Sequence, residues 1–87
     1  MGSVYEVVIR KSAQKELDKL SRSNFDRVYQ SILALSTNPR PSGCKKLSSG
    51  EYRIRKGDFR IIYSIQDSKL IIKVLEVKNR KDAYRPF

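Results

Sequence analysis

Three arginines, Arg53, Arg55 and Arg60, lie in two β-prone runs on either side of Gly57-Asp58. Read as a two-residue hairpin turn, this dipeptide sets Lys56 opposite Phe59, Arg55 opposite Arg60, Ile54 opposite Ile61, Arg53 opposite Ile62 and Tyr52 opposite Tyr63. Side chains alternate along a strand, so the three arginines share one face and Tyr52, Ile54, Ile61 and Tyr63 share the other. A like-charged pair directly across a hairpin destabilises it. Two readings account for its presence. The guanidinium forks match phosphate oxygens and converge on a phosphate, or the long stems splay apart and shield an apolar floor beneath them.

Other residue types narrow the chemistry. The chain has no histidine, which excludes a Ser-His-Asp triad, a histidine-containing zinc site and a histidine acid–base pair. Its single cysteine, Cys44, can form no internal disulfide, reads as structural and fits a reducing, cytoplasmic setting. The acidic residues are scattered, so nothing calls for a metal or another cofactor. The formal charge is +10, from 19 Lys and Arg against 9 Asp and Glu. It is uneven: residues 1–40 carry seven basic and four acidic side chains, residues 41–87 twelve and five. Such a balance points to a polyanionic partner: RNA, DNA, an anionic membrane or an acidic protein. No run approaches the roughly 20 apolar residues of a membrane span, and the start is too short and polar for a signal peptide.

The elements that must position the arginines follow from periodicity. With 87 residues the chain reads as one domain, 1–87. Val4–Ile9 alternates like a short strand. Ser12 is the predicted N-cap of a first helix, with Glu16 in its early turns, Ala13, Leu17 and Leu20 on one stripe, and an end near Ser21. Ser23, with Asp26 three residues on, is the predicted cap of a second helix. Its stripe is Phe25, Val28, Ile32 and Leu35, widened by Tyr29 and Leu33. Asn38-Pro39-Arg40-Pro41 ends it. Residues 42–50 read as a polar loop carrying Lys45 and Lys46. The strands Tyr52–Lys56, Phe59–Gln66 and Leu70–Lys78 follow, the last two joined by a turn at Asp67-Ser68. Extending the register puts Ile65, Leu70, Ile72 and Val74 on the helix-facing side. Ile62, Ile71, Lys73, Leu75 and Val77 then lie with the arginines, as an apolar floor suited to docking another chain. The fold expected is α+β, in the order β-α-α-β-β-β, with a two-helix hairpin packed on one face of a small, mostly antiparallel sheet.

That order, the segments Tyr52-Arg53-Ile54-Arg55 and Asp58-Phe59-Arg60-Ile61-Ile62-Tyr63, and the ending Asn79-Arg80-Lys81-Asp82-Ala83-Tyr84 together resemble the RelE/ParE toxin superfamily over nearly the whole chain. The resemblance implies the toxin of a type II toxin–antitoxin pair. RelE-like members cleave messenger RNA, usually in the ribosomal A site; ParE-like members inhibit DNA gyrase and generally lack the basic set. Arg53, Arg55, Arg60, Arg80 and Tyr84 occupy matching positions, which favours the ribonuclease branch. A basic RNA- or ribosome-binding module without catalysis is a third reading. The chain departs from RelE itself in having arginine rather than lysine at positions 53 and 55, no histidine near the tail tyrosine, and a shorter spacing from Arg80 to Tyr84. The partner implied is an acidic antitoxin that wraps the toxin, blocks the basic site and forms a hetero-oligomer with it.

On that resemblance the reaction is attack of an RNA 2′-hydroxyl on the adjacent phosphorus. Arginine, whose pKa lies above about 12, cannot be the base. Arg53, Arg55 and Arg60 suit stabilisation of transition-state charge. Tyr84 is the base candidate, its ordinary pKa of about 10 lowered by nearby cations, or else it stacks on a base. Arg80 contacts the leaving group or passes a proton, and Lys56 or Lys81 supplies the acid. Lys45, Lys46, Lys56 and Lys81 are the further RNA contacts.

Overall fold

β1 (Glu6–Ile9) runs directly into α1 (Lys11–Asp18), which a tight turn joins to α2 (Arg22–Ala34). The strands β2 (Lys45–Lys46), β3 (Tyr52–Lys56), β4 (Phe59–Gln66) and β5 (Ile71–Asn79) follow. These elements belong to a computed structural model that describes residues 4–79. The sheet order is β1-β5-β4-β3-β2, with β1 parallel to β5 and every other pairing antiparallel. The expected α+β class and strand order hold, with one strand more: β2 lies within the stretch read as a polar loop and pairs Lys45 with Arg53 and Lys46 with Tyr52. Two exposed lysines have no hydrophobic alternation to betray a strand, yet they suit a sheet edge, where charge discourages pairing with another chain.

Both helices start earlier than their serines suggest. Arg10, not Ser12, is the cap of α1, and no side chain caps it. The Arg10 amide still donates to the Val74 carbonyl at 2.8 Å, while its own carbonyl already accepts from Gln14 at 2.9 Å. The sheet ladder therefore hands the chain to the helix at this residue, and a side-chain cap does not decide the start. The helix ends at Asp18 rather than near Ser21. Ser21, not Ser23, caps α2 and accepts from the Asn24 amide at 3.4 Å. That choice puts Leu20 and Phe25 at the two positions of a hydrophobic staple, and both pack partly buried against the core. No described helix is long and apolar enough to cross a membrane.

The core lies between the helices and one sheet face. Leu17, Val28, Ile32, Ile61, Tyr63, Ile72 and Val74 are fully buried there, each contributing about 1.5–3 kcal/mol by removal from water. The hairpin register is as predicted, from Lys56 opposite Phe59 to Tyr52 opposite Tyr63. Gly57, at φ 59°, takes the left-handed conformation that the first central residue of a type II′ turn requires.

The β4–β5 connection departs from expectation twice. The turn is not Asp67-Ser68 alone but spans residues 67–70, with Gln66 paired to Ile71 and Leu70 outside the strand at φ 54°. A β-bulge then shifts the register: Tyr63 pairs with Val74 but Ile62 with Glu76, leaving Leu75 as the extra residue. Beyond it the faces exchange. Val77, expected on the outer floor, turns inward opposite Ile61 and is 2% exposed. Glu76 and Lys78 turn outward.

Candidate nucleic-acid interface

Two rows of side chains cross the open face of the sheet. In one, Arg55 on β3, Arg60 on β4 and Lys78 on β5 stand opposite one another. In the other, Lys45 on β2 and Arg53 on β3 are followed by Ile62 and Glu76. Neighbouring strands are about 4.8 Å apart, and residues two apart on a strand about 7 Å. Five cations are thus gathered over four strands, with Glu76 as the carboxylate in those rows, 3.7 Å from the Lys78 Nζ. Arg53 and Arg60 are half-buried, so their stems lie along the sheet, and Arg55 is exposed. The patch can grip a phosphate from several sides and stabilise extra negative charge on it.

The structure sorts the sequence-predicted residues. Arg53, Arg55 and Arg60 share this face, and Lys45 joins them through β2. Lys46 and Lys56 project to the helix side, because each is one residue out of phase with the arginines. The Lys46 ammonium lies 6.0 Å from the centre of the Tyr52 ring. Lys56, named as a possible acid, therefore does not share the face of the arginines. Arg80, Lys81 and Tyr84 lie outside the described residues. Lys78 was missed: simple alternation sends it inward, and the bulge at Leu75 turns it out beside Arg60. The same bulge removes Val77 from the apolar floor, which is left to Ile62, Ile71 and the outward Val8 of β1, 38% exposed, with Leu75 half-buried at the bulge itself.

A polar network ties down the opposite end of the hairpin. Arg40 donates to Asp67 from both terminal nitrogens, at 2.9 and 3.4 Å, and from Nε to the Tyr52 hydroxyl at 3.2 Å. Tyr5 donates to Asp67 at 2.7 Å. The Tyr52 ring stacks on Tyr63, with centroids 5.9 Å apart, and the Tyr63 hydroxyl donates to the Pro39 carbonyl at 2.7 Å. Hydrogen bonds from Arg40 and then Tyr5 hold the Asp67 carboxyl below its ordinary range. The same Asp67 bond pushes the Tyr5 phenol up, and burial, with the nearby Cys44 thiol, pushes Tyr63 up. Arg40 appears in the sequence only as part of a helix stop; its partners lie 12 and 27 residues away, beyond any local pattern. Among the described residues, no three of His, Cys, Asp and Glu are grouped to hold a metal ion.

Comparison with known proteins bears on the chain as a whole. Residues 7–84 match the family described as the ParE toxin of the type II toxin–antitoxin system parDE. A Methanocaldococcus jannaschii protein assigned as toxin RelE1 is 33% identical over 86 residues, 93% of this chain and 96% of the relative. Two solved structures superpose closely. The toxin–antitoxin complex RelBE2 of Mycobacterium tuberculosis gives a TM-score of 0.81 at 27% identity, covering 90% of this chain and 93% of that one. The archaeal RelE–RelB complex of Pyrococcus horikoshii gives 0.78 at 30% identity, covering 88% and 96%.

Proposed function

The chain belongs to the RelE/ParE toxin superfamily of type II toxin–antitoxin systems, and on that premise we propose that it is an endoribonuclease that cuts messenger RNA in the ribosomal A site. The observation that carries this reading is the row of Arg55, Arg60 and Lys78 beside Arg53 on one open sheet face. A hairpin that serves only its own stability has no reason to set two arginines against each other.

In the proposed reaction the RNA 2′-oxygen attacks the adjacent phosphorus and the bond from phosphorus to the 5′-oxygen breaks. The products are a 2′,3′-cyclic phosphate and a 5′-hydroxyl. One proton leaves the 2′-hydroxyl and one reaches the departing 5′-oxygen. The phosphorane-like state carries more negative charge than the diester, so cations fixed beforehand favour it over the ground state. Arg53, Arg55 and Arg60 fill that role, with Lys78 adding charge from β5 and Lys45 holding the strand nearby. Tyr84 is the proposed base, and Arg80 the contact to the leaving group. Lys81, the other acid candidate, supplies the proton that reaches the 5′-oxygen.

The structures of RelE relatives bound to RelB antitoxins support a cognate antitoxin for this chain as well. An acidic antitoxin over the arginine face would neutralise charge and block the phosphate site together. The match to the ParE toxin family gives a second reading, inhibition of DNA gyrase without RNA cleavage.

Expression of Arg60→Ala and Tyr84→Phe variants in bacteria separates them. Loss of growth arrest and of messenger RNA cleavage in both supports the ribonuclease. Unchanged toxicity and cleavage in both sinks the site assignment, and gyrase supercoiling blocked equally by parent and variants supports the ParE-like reading.

A further inference from the structure

A cleft of about 200 Å³ lies on the far side of the hairpin tip, between the start of α2 and the β3–β4 turn. Asn24 and Arg27 of α2 form one wall, and Lys56, Gly57, Asp58 and Phe59 the other, with Asn79 at one end. Its volume is several times the roughly 30 Å³ share of one liquid water, which leaves room for a phosphate group. Among the described residues neither Arg27 nor Lys56 has a side-chain ion-pair or hydrogen-bond partner. Asp58 offsets one of the two charges, so the lining keeps a net positive charge.

The position of this cleft matters as much as its charge. Arg55 and Lys56 are consecutive residues, about 3.8 Å apart at Cα, whose side chains leave the strand on opposite faces. The turn between the strands has only two residues. A single RNA strand crossing the hairpin tip therefore meets Arg55 and Arg60 on one side and Lys56 and Arg27 on the other, and nothing longer than the turn separates the two sites.

We propose that this cleft binds a second phosphate of the RNA strand whose reacting phosphate lies on the arginine face, with Arg27 and Lys56 as its ligands. This rests on the ribonuclease reading of that face. It gives Lys56 a part in RNA binding without placing it at the reacting phosphate, and it makes Arg27 an RNA contact that no motif identifies.

The test is binding of a fully 2′-O-methylated single-stranded RNA, which lacks the attacking hydroxyl, measured against salt concentration. The chain is compared with the double variants Arg27→Gln/Lys56→Gln, Arg55→Gln/Arg60→Gln and, as a charge control, Lys11→Gln/Lys15→Gln on the exposed side of α1. Each lost phosphate contact should lower the slope of log affinity against log salt by about 0.7. The first two variants each remove the ligands of one phosphate and should therefore each lose about 0.7 from the slope, with the control close to the parent. If only the Arg55/Arg60 variant weakens binding, or the control weakens it as much as the Arg27/Lys56 variant, the cleft takes no phosphate. If no variant departs from the control, the reading of the arginine face fails too.

Discussion

Replacing Arg55 by threonine separates the two roles open to the arginine pair, because they predict opposite signs. Arg55 is exposed, faces Arg60 directly, and has Lys78 on the far side of Arg60. A like-charged cross-strand pair costs about 0.2–1 kcal/mol, and threonine suits a strand at least as well as arginine. The variant should therefore be more stable by up to about 1 kcal/mol. For a chain of this size that raises Tm by up to roughly 4–8 °C. Activity should move the other way: loss of one preorganised donor to a transition-state oxyanion costs about 10²–10³ in rate. Thermal unfolding followed by circular dichroism, beside a cleavage assay on the same preparation, measures both. A lowered Tm with unchanged cleavage would mean that the arginine stem shields Ile62, and would refute the phosphate role of this pair. The Arg55→Gln variant, which keeps much of the stem without the charge, should resemble threonine in both measurements if charge is the cause.

Three further outcomes follow from the packing. Tyr63→Phe removes the donor to the Pro39 carbonyl and should cost about 1–3 kcal/mol in urea unfolding. Gly57→Ala forces a side chain into the left-handed region at φ 59°; it should cost about 1–2 kcal/mol, although nothing lies within 4 Å of the added carbon. Asp67→Asn tests the pH linkage. Because the folded carboxyl is held below its ordinary value of 3.8, its contribution is present above that pH and is lost as pH falls through the depressed value. The variant should be less stable than the parent at pH 7, and the gap in urea midpoint should close under strongly acidic conditions.

Much of the site was legible because it depends on short-range rules. The turn at Gly57-Asp58 sets the register of Arg53, Arg55 and Arg60, and strand alternation assigns their face. The buried stripe of Ala13, Leu17, Val28, Ile32 and Leu35 follows from helical spacing in the same way. What escaped depends on longer-range packing. The bulge at Leu75 trades one unpaired residue for the burial of Val77, and no local signal fixes where it falls; this is why Val77 was assigned to the wrong face and Lys78 was missed. The competition between Ser21 and Ser23 is settled by Leu20 and Phe25 reaching the core. Pairing of Lys45–Lys46 with β3 depends on where the polar loop returns, and the bonds of Arg40 to Asp67 and Tyr52 exist only once α2, β3 and the β4–β5 turn have met.

The most direct measurement is the chemistry of the RNA ends. Purified protein, freed of any antitoxin, is added to ribosomes translating a defined messenger RNA, and the new termini are mapped and identified. The expected result is cuts within A-site codons that leave a 2′,3′-cyclic phosphate and a 5′-hydroxyl, absent with the Arg60→Ala variant. Intact messenger RNA, or the same cuts with Arg60→Ala, would contradict the assignment of this arginine face.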